Sequence, residues 1–174
     1  MPWIMVDIEA DGPIPGDYSM VSFGAVVVGY HDKTFKGELR PISDKWIPEA
    51  LAVSGYSREK TMEFDQPIAV MVKFRDWLQE ICAMYGGKPM LISDNNGFDA
   101  MFMSWYFHHF LGDNPFGHSS TNLGSLYKGM VKDTSKNFKH LRSTKHTHDP
   151  VDDAMGNCEA LLRMRKEMGL GFRL

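Results

Sequence analysis

Residues 6–12 read VDIEADG, and two carboxylates, Asp7 and Glu9, stand two positions apart inside it, at the end of an apolar run, WIMVDI (3–8), that has the composition of a buried strand. Side chains on a strand alternate between its faces, so both acids point the same way, with Cα atoms about 6.6 Å apart. Two negative charges about 5 Å apart at an effective dielectric near 20 repel by about 3 kcal/mol. A strand gains nothing from that arrangement unless a cation sits between the carboxylates or one of them holds a proton. Water at the strand's C-terminal end is the plain alternative, and D-x-E alone is a common pattern.

Outward from this stretch, the chain organises itself without repeats, low-complexity segments or a Gly/Ser/Pro-rich linker. MVSFGAVVVG (20–29) and TFKGEL (34–39) are strand-like, and YHDK between them suits a hairpin turn. The run from Pro67 to Met84 carries apolar residues at 70, 71, 74, 77, 78 and 81, a helical stripe closed by Gly86-Gly87. KPMLISD (88–94) is a short strand leading into a helix that has Asn95 and Asn96 as capping candidates and ends at Gly112. A further helix is expected at 121–131, and a last one at about 151–168, with Val151, Ala154, Met155, Cys158, Leu161 and Leu162 on one face. Three strands, a helix, a strand and then helices make an α/β or α+β plan with an antiparallel start.

Composition sets outer limits. The 174 residues fit one domain, 1–174; 43% hydrophobic and 24% charged residues are ordinary for a soluble globular chain. A net charge of -3 excludes coating of a polyanion by bulk charge, so such a partner needs a local patch or a metal. Two cysteines, Cys82 and Cys158, support neither a disulfide framework nor a thiolate cluster. No run approaches the roughly 18 apolar residues of a membrane span, and MPWIMVDIEADG lacks the features of a secretory leader, so a cytoplasmic protein without a membrane partner is expected.

Further acids change the weight of the first pair. Asp99 lies in the first turn of the helix after the fourth strand, and Asp152 and Asp153 open the last helix. Each can be read as a helix-dipole or capping acid. In α/β folds, however, ligand sites are built from strand C-terminal ends and helix N-terminal turns. Three segments each deliver an acid to such a place, and oxygen-only ligands suit Mg²⁺ or Mn²⁺. His148, in HTHDPVDD (146–153), stands on the loop before the last helix. An imidazole there can act as general base on a water. His146 and His148 can alternatively form a zinc pair with an acid, but no third nitrogen or sulfur ligand is placed by spacing. His108 and His109, between aromatics on a helix, read as structural. Periodicity does not choose between Asp152 and Asp153. Six basic residues from Lys128 to Lys145, against the single acid Asp133, form either a solvated face or a phosphate-steering stretch.

Three motifs together resemble the DEDDh 3′–5′ exonucleases, the ribonuclease-H-like group of proofreading subunits, ribonuclease T and oligoribonuclease. VDIEADG followed by MVSFGAVVV is similar to the first motif, DNNGFDAMF to the second with Asn95 and Phe98 at its hallmark positions, and HDPVDDA to the third, H-x4-D before a small residue. The resemblance implies an α/β, ribonuclease-H-like mixed sheet, its first three strands antiparallel, flanked by helices. It implies a two-metal phosphodiesterase releasing nucleoside 5′-monophosphates from single-stranded or frayed 3′ ends. Asp7 would bridge both Mg²⁺ or Mn²⁺ ions, Glu9 and Asp153 would complete the first ion's shell, and Asp99 would hold the second. His148 would take the proton of the attacking water. Gly12, Asn95 and Phe98 would contact substrate; Tyr56 reads either as a residue stacking on a base or as a packed loop aromatic. The family spacing, with Ala154 following, favours Asp153 over Asp152. Relatives that are dimers make a homodimer an expectation. The chain departs from the pattern at Asp94, where a His often precedes the Asn, and at Ser54-Gly55, where a His-Gly pair is common. DNA and RNA both remain open, and a non-catalytic nucleic-acid-binding module of the same fold is the alternative.

Overall fold

A computed structural model describes residues 1–172. Five strands form one sheet in the order β3-β2-β1-β4-β5, from β1 (Trp3–Ala10), β2 (Met20–Val27), β3 (Tyr30–Glu38), β4 (Met90–Ser93) and β5 (Ser120–Asn122). The pairs β1–β2 and β2–β3 are antiparallel; β1–β4 and β4–β5 are parallel. The sheet is therefore mixed, with an antiparallel start.

Both faces of β1 are covered, which explains its nearly continuous apolar sequence. Ile4, Val6, Ile8 and Ala10 enter one core with Phe74 and Leu78 of α3 (Pro67–Tyr85) and Phe102 and Tyr106 of α4 (Asn96–Leu111). Met5 enters a second core with Leu123 and Tyr127 of α5 (Leu123–Val131) and Cys158 and Leu161 of α6 (Pro150–Met168). By alternation, Asp7 and Glu9 continue the Met5 face towards α6.

One glycine sets the height of α6 above the sheet. Gly24 lies opposite Asp7 in the β1–β2 register. A Cβ on Gly24 would come within 2.3 Å of the Pro150 backbone, so only glycine lets the start of α6 approach the sheet beside Asp7. Asp149 caps α6, accepting the Val151 N–H at 2.9 Å.

Two expectations are corrected. The hairpin turn is Val28-Gly29, not YHDK: Val27 pairs with Tyr30, and Gly29 takes φ 87 at the second central position of the turn, where glycine is favoured. Tyr30–Lys33 already belongs to the edge strand β3. Neither Asn95 nor Asn96 caps α4 through its side chain; the Asn96 amide instead donates to Ser93 Oγ at 3.2 Å. Two short helices, α1 (Pro48–Val53) and α2 (Arg58–Thr61), the strand β5 and a 3₁₀ turn at Lys139–Leu141 add to the elements read from sequence. Among the described residues no helix is long and apolar enough to cross a membrane.

Candidate active site

The C-terminal end of β1, the first turn of α4 and the first turn of α6 converge on a cleft of about 570 Å³ whose lining includes Asp7, Glu9, Asp99, Arg142, His146 and His148. One carboxylate oxygen from each of Asp7, Glu9 and Asp153 lies within 4.8 Å of the others. Asp99, 3% exposed, faces the same space from α4. Asp153 is buried at the base of α6, whereas its neighbour Asp152 is exposed and accepts the Thr147 hydroxyl at 3.0 Å. The helix thus chooses Asp153, by pointing it at the sheet.

Three of these acids, Asp7, Glu9 and Asp99, have raised pKa values. Burial, and then Asp99, Glu9 and Asp153, push Asp7 well above the usual carboxylate range. Burial, followed by Asp153, lifts Glu9 to about 7. Burial lifts Asp99 to about 8, with Asp94 and Glu9 adding to it, although Ser93 and the Ile8 backbone pull it back. The Asp99 Oδ2 atom is buried without a hydrogen-bond partner. A buried acid cluster short of protein donors is unstable by itself and fits hard divalent cations, which bind carboxylate oxygen.

Asp153 is the exception in being well held. Its Oδ1 accepts Arg142 at 2.9 Å and the Thr147 N–H at 3.2 Å; its Oδ2 accepts the His148 N–H at 3.1 Å and lies 2.7 Å from His146 Nδ1. Arg142 was one member of a basic stretch in the sequence, and its contact with Asp153 was not foreseen. A signal existed: Gly156 sits in the interior of α6, where glycine costs about 1 kcal/mol relative to alanine. A Cβ there would come within 2.4 Å of Arg142 Nε, so the glycine makes room for the arginine.

The remaining candidates divide. His148 stands at the mouth of the cleft, its Nδ1 3.9 Å from Glu9 Oε1. Asn95 and Phe98 line the cleft, and Phe98 packs on Phe102 with centroids 4.7 Å apart. Phe98 also borders an adjoining apolar hollow of about 360 Å³, walled by Ile8, Gly12, Pro13, Ile47 and Val53 and touching Glu9. Gly12 belongs to this wall, and a Cβ there would run into the Tyr18 ring. Tyr56 is not among the residues lining the cleft: its hydroxyl donates to Glu38 at 2.5 Å and its ring meets Phe64 edge-on. His108 is exposed on α4, and His109 stacks on Trp105. Of the basic stretch, Lys139 and Arg142 reach the cleft.

No family model matches the chain. It is 35% identical over 173 residues to the 3′-5′ DNA exonuclease Cap18 of Escherichia coli, covering 99% of this chain and 90% of that protein. The nuclease domain of 3′hExo, a DEDDh family member bound to rAMP, superposes with a TM-score of 0.75 at 18% identity, covering 99% of this chain and 96% of that one. E. coli ExoI, in the zinc-bound form of its ssDNA complex, gives 0.70 at 16% identity, covering 95% of this chain and 41% of that one. At such identities the two superpositions establish the ribonuclease-H-like fold. The near full-length relationship to Cap18, on a fold whose strand ends gather this acid cluster, means that the chain belongs to the DEDDh family of metal-dependent 3′–5′ exonucleases.

Proposed function

We propose that the protein shortens single-stranded or frayed 3′ ends of DNA, with Asp7, Glu9, Asp99 and Asp153 holding two divalent ions, Mg²⁺ or Mn²⁺, and His148 serving as general base. The observation that carries this reading is the meeting of Asp7, Glu9 and Asp153 within 4.8 Å, beside a buried Asp99 that has an unpartnered oxygen. When bound, the ions supply Lewis acidity and charge neutralisation at the scissile phosphate.

The chain's own residues do the rest. The apolar hollow beside Glu9 receives the terminal base and sugar, with Phe98 as one wall and Gly12 leaving the backbone close to the ligand. The His148 imidazole takes the proton of the attacking water, and the leaving 3′ oxygen departs with the shortened strand. Arg142 keeps Asp153 in place, and Lys139 at the cleft wall attracts the phosphate backbone. DNA is favoured over RNA because the 35% identical relative is a DNA exonuclease. The two free cysteines suit a reducing cytoplasm, and a homodimer is carried by the family resemblance.

Product analysis tests the reading. The protein is incubated with 5′-labelled single-stranded DNA or RNA of one sequence, with Mg²⁺, Mn²⁺ or EDTA, beside Asp7→Ala. The expected result is a ladder shortening from the 3′ end, faster on DNA, that requires the metal and disappears in the variant. Intact substrate in every lane, with a gel shift retained, would establish a binding module instead.

A further inference from the structure

His146 has no part in the reaction proposed above, yet it is placed beside the two groups that matter most to it. Its Nδ1 lies 2.7 Å from Asp153 Oδ2, and its ring centroid is 4.2 Å from that of His148. One donor atom from each of His146, His148 and Asp153 falls within 4.8 Å of the others. The third ligand that sequence spacing did not reveal is therefore the buried carboxylate brought up by α6.

The site is open to solvent and built from behind. The two histidine side chains are 52% and 46% exposed, so an ion reaches them directly, whereas Asp153 is 1% exposed. Arg142 and the Thr147 and His148 N–H groups hold the carboxylate and pin the histidine loop to it. Glu9 Oε1, 3.9 Å from His148 Nδ1, supplies a fourth donor atom near the pair.

Two imidazole nitrogens and a carboxylate are a donor set for Zn²⁺ rather than for Mg²⁺. Zinc–ligand bonds near 2.1 Å in a tetrahedron put neighbouring donor atoms about 3.4 Å apart. The His146–Asp153 contact is shorter than this and the rest of the set no wider than 4.8 Å, so shifts of about an ångström in two exposed rings complete it. Asp153 belongs both to this set and to the all-carboxylate set with Asp7 and Glu9. The cleft therefore sorts cations by hardness: oxygen-seeking ions go to the carboxylates, and zinc goes to the histidines.

We propose that Zn²⁺ binds His146, His148 and Asp153 and switches the nuclease off. The ion takes the imidazole lone pair that His148 uses to accept a proton, and it draws Asp153 away from the carboxylate set. The switch rests on the proposed roles of His148 and Asp153; the zinc site itself does not.

Calorimetric titration of the metal-free protein with Zn²⁺, histidine-ring ¹⁵N spectra, and nuclease assays at saturating Mg²⁺ with increasing Zn²⁺ test this together. Wild type is expected to bind one Zn²⁺ per chain, to shift the ring resonances of both His146 and His148, and to lose activity over the same zinc range. In His146→Ala, zinc binding and inhibition, the latter measured against the variant's own zinc-free activity, should both weaken by about tenfold or more. Equal zinc affinity and inhibition in His146→Ala would overturn the proposal, since the ion would then be acting at the carboxylates. Active enzyme with no zinc binding would overturn it as well, leaving the exonuclease reading intact. Zinc bound through both rings in a protein without Mg²⁺-dependent nuclease activity would overturn the exonuclease reading and the switch, and leave the metal site standing.

Discussion

Asp7 and Asp11 lie four residues apart at the same end of the molecule, and their surroundings are opposite. Asp11 is fully buried, but its Oδ2 meets Arg58 at 2.7 Å and its Oδ1 accepts the Ser19 N–H at 2.5 Å. Burial raises its pKa, while Ser19 and Arg58 pull it back. Asp7 is surrounded by Asp99, Glu9 and Asp153, all of which raise its pKa, and Arg142 opposes them only weakly. A buried carboxylate that the protein supplies with partners is part of the framework; the Asp11–Arg58 pair ties the β1–β2 loop to the start of α2. A half-buried carboxylate that the protein surrounds with its own kind depends on cations from outside.

The largest separation between the two comes from substituting them. Asp7→Asn should lower exonuclease activity by about 10³-fold or more and leave the metal-free protein as stable as wild type or more so, because a source of repulsion is gone. Asp11→Ala should do the reverse. It strands the Arg58 guanidinium, 14% exposed, and should cost about 3 kcal/mol by denaturant unfolding, with activity following the folded fraction. A stable Asp11→Ala protein would break the comparison.

Next in size is the effect of pH on the metal-free protein. Glu9 moves from 4.5 in the unfolded chain to about 7, and Asp99 from 3.8 to about 8. Between these values the native state holds protons that the unfolded state has released, so stability falls as pH rises. Thermal melts in EDTA should therefore drop from about pH 4 to about pH 8. Added Mn²⁺ should raise the melting temperature more at the alkaline end, where it competes with fewer protons. Melts that do not change with pH would mean that the cluster is compensated in some other way.

A smaller effect is expected at Gly156→Ala, where the new methyl group meets Arg142. Overpacking of this kind costs about 1–3 kcal/mol, and the displaced arginine should lower activity by about 10-fold or more through Asp153. Asp152→Ala, one residue from the critical acid and exposed, should change activity less than about twofold.

The two acids of β1 were legible in the sequence because a period of two and a run of apolar neighbours place them on one face. The long helices α3 and α6 were legible for the same reason, since each buries a continuous stripe. The turn at Val28-Gly29 was not, because the first half of β3 is a polar edge strand with no apolar alternation to mark it. Helix periodicity did not separate Asp152 from Asp153, and family spacing did; in the fold α6 turns Asp153 inward and leaves Asp152 exposed. The partnership of Arg142 with Asp153, and of His146 with Asp153 and His148, depends on a loop folding back over α6, and nothing in local spacing announces it. Tyr56, which the sequence leaves open between stacking on a base and packing in its loop, is held by Glu38 and Phe64.

The most direct test is calorimetric titration of Mn²⁺ into the metal-free protein and into Asp7→Asn, with melts of both. Wild type should bind the ion and gain stability, while Asp7→Asn should start at least as stable and gain little. If instead the variant is less stable than wild type without metal and binds Mn²⁺ just as well, Asp7 is a framework residue like Asp11, and the cleft is not assembled around cations.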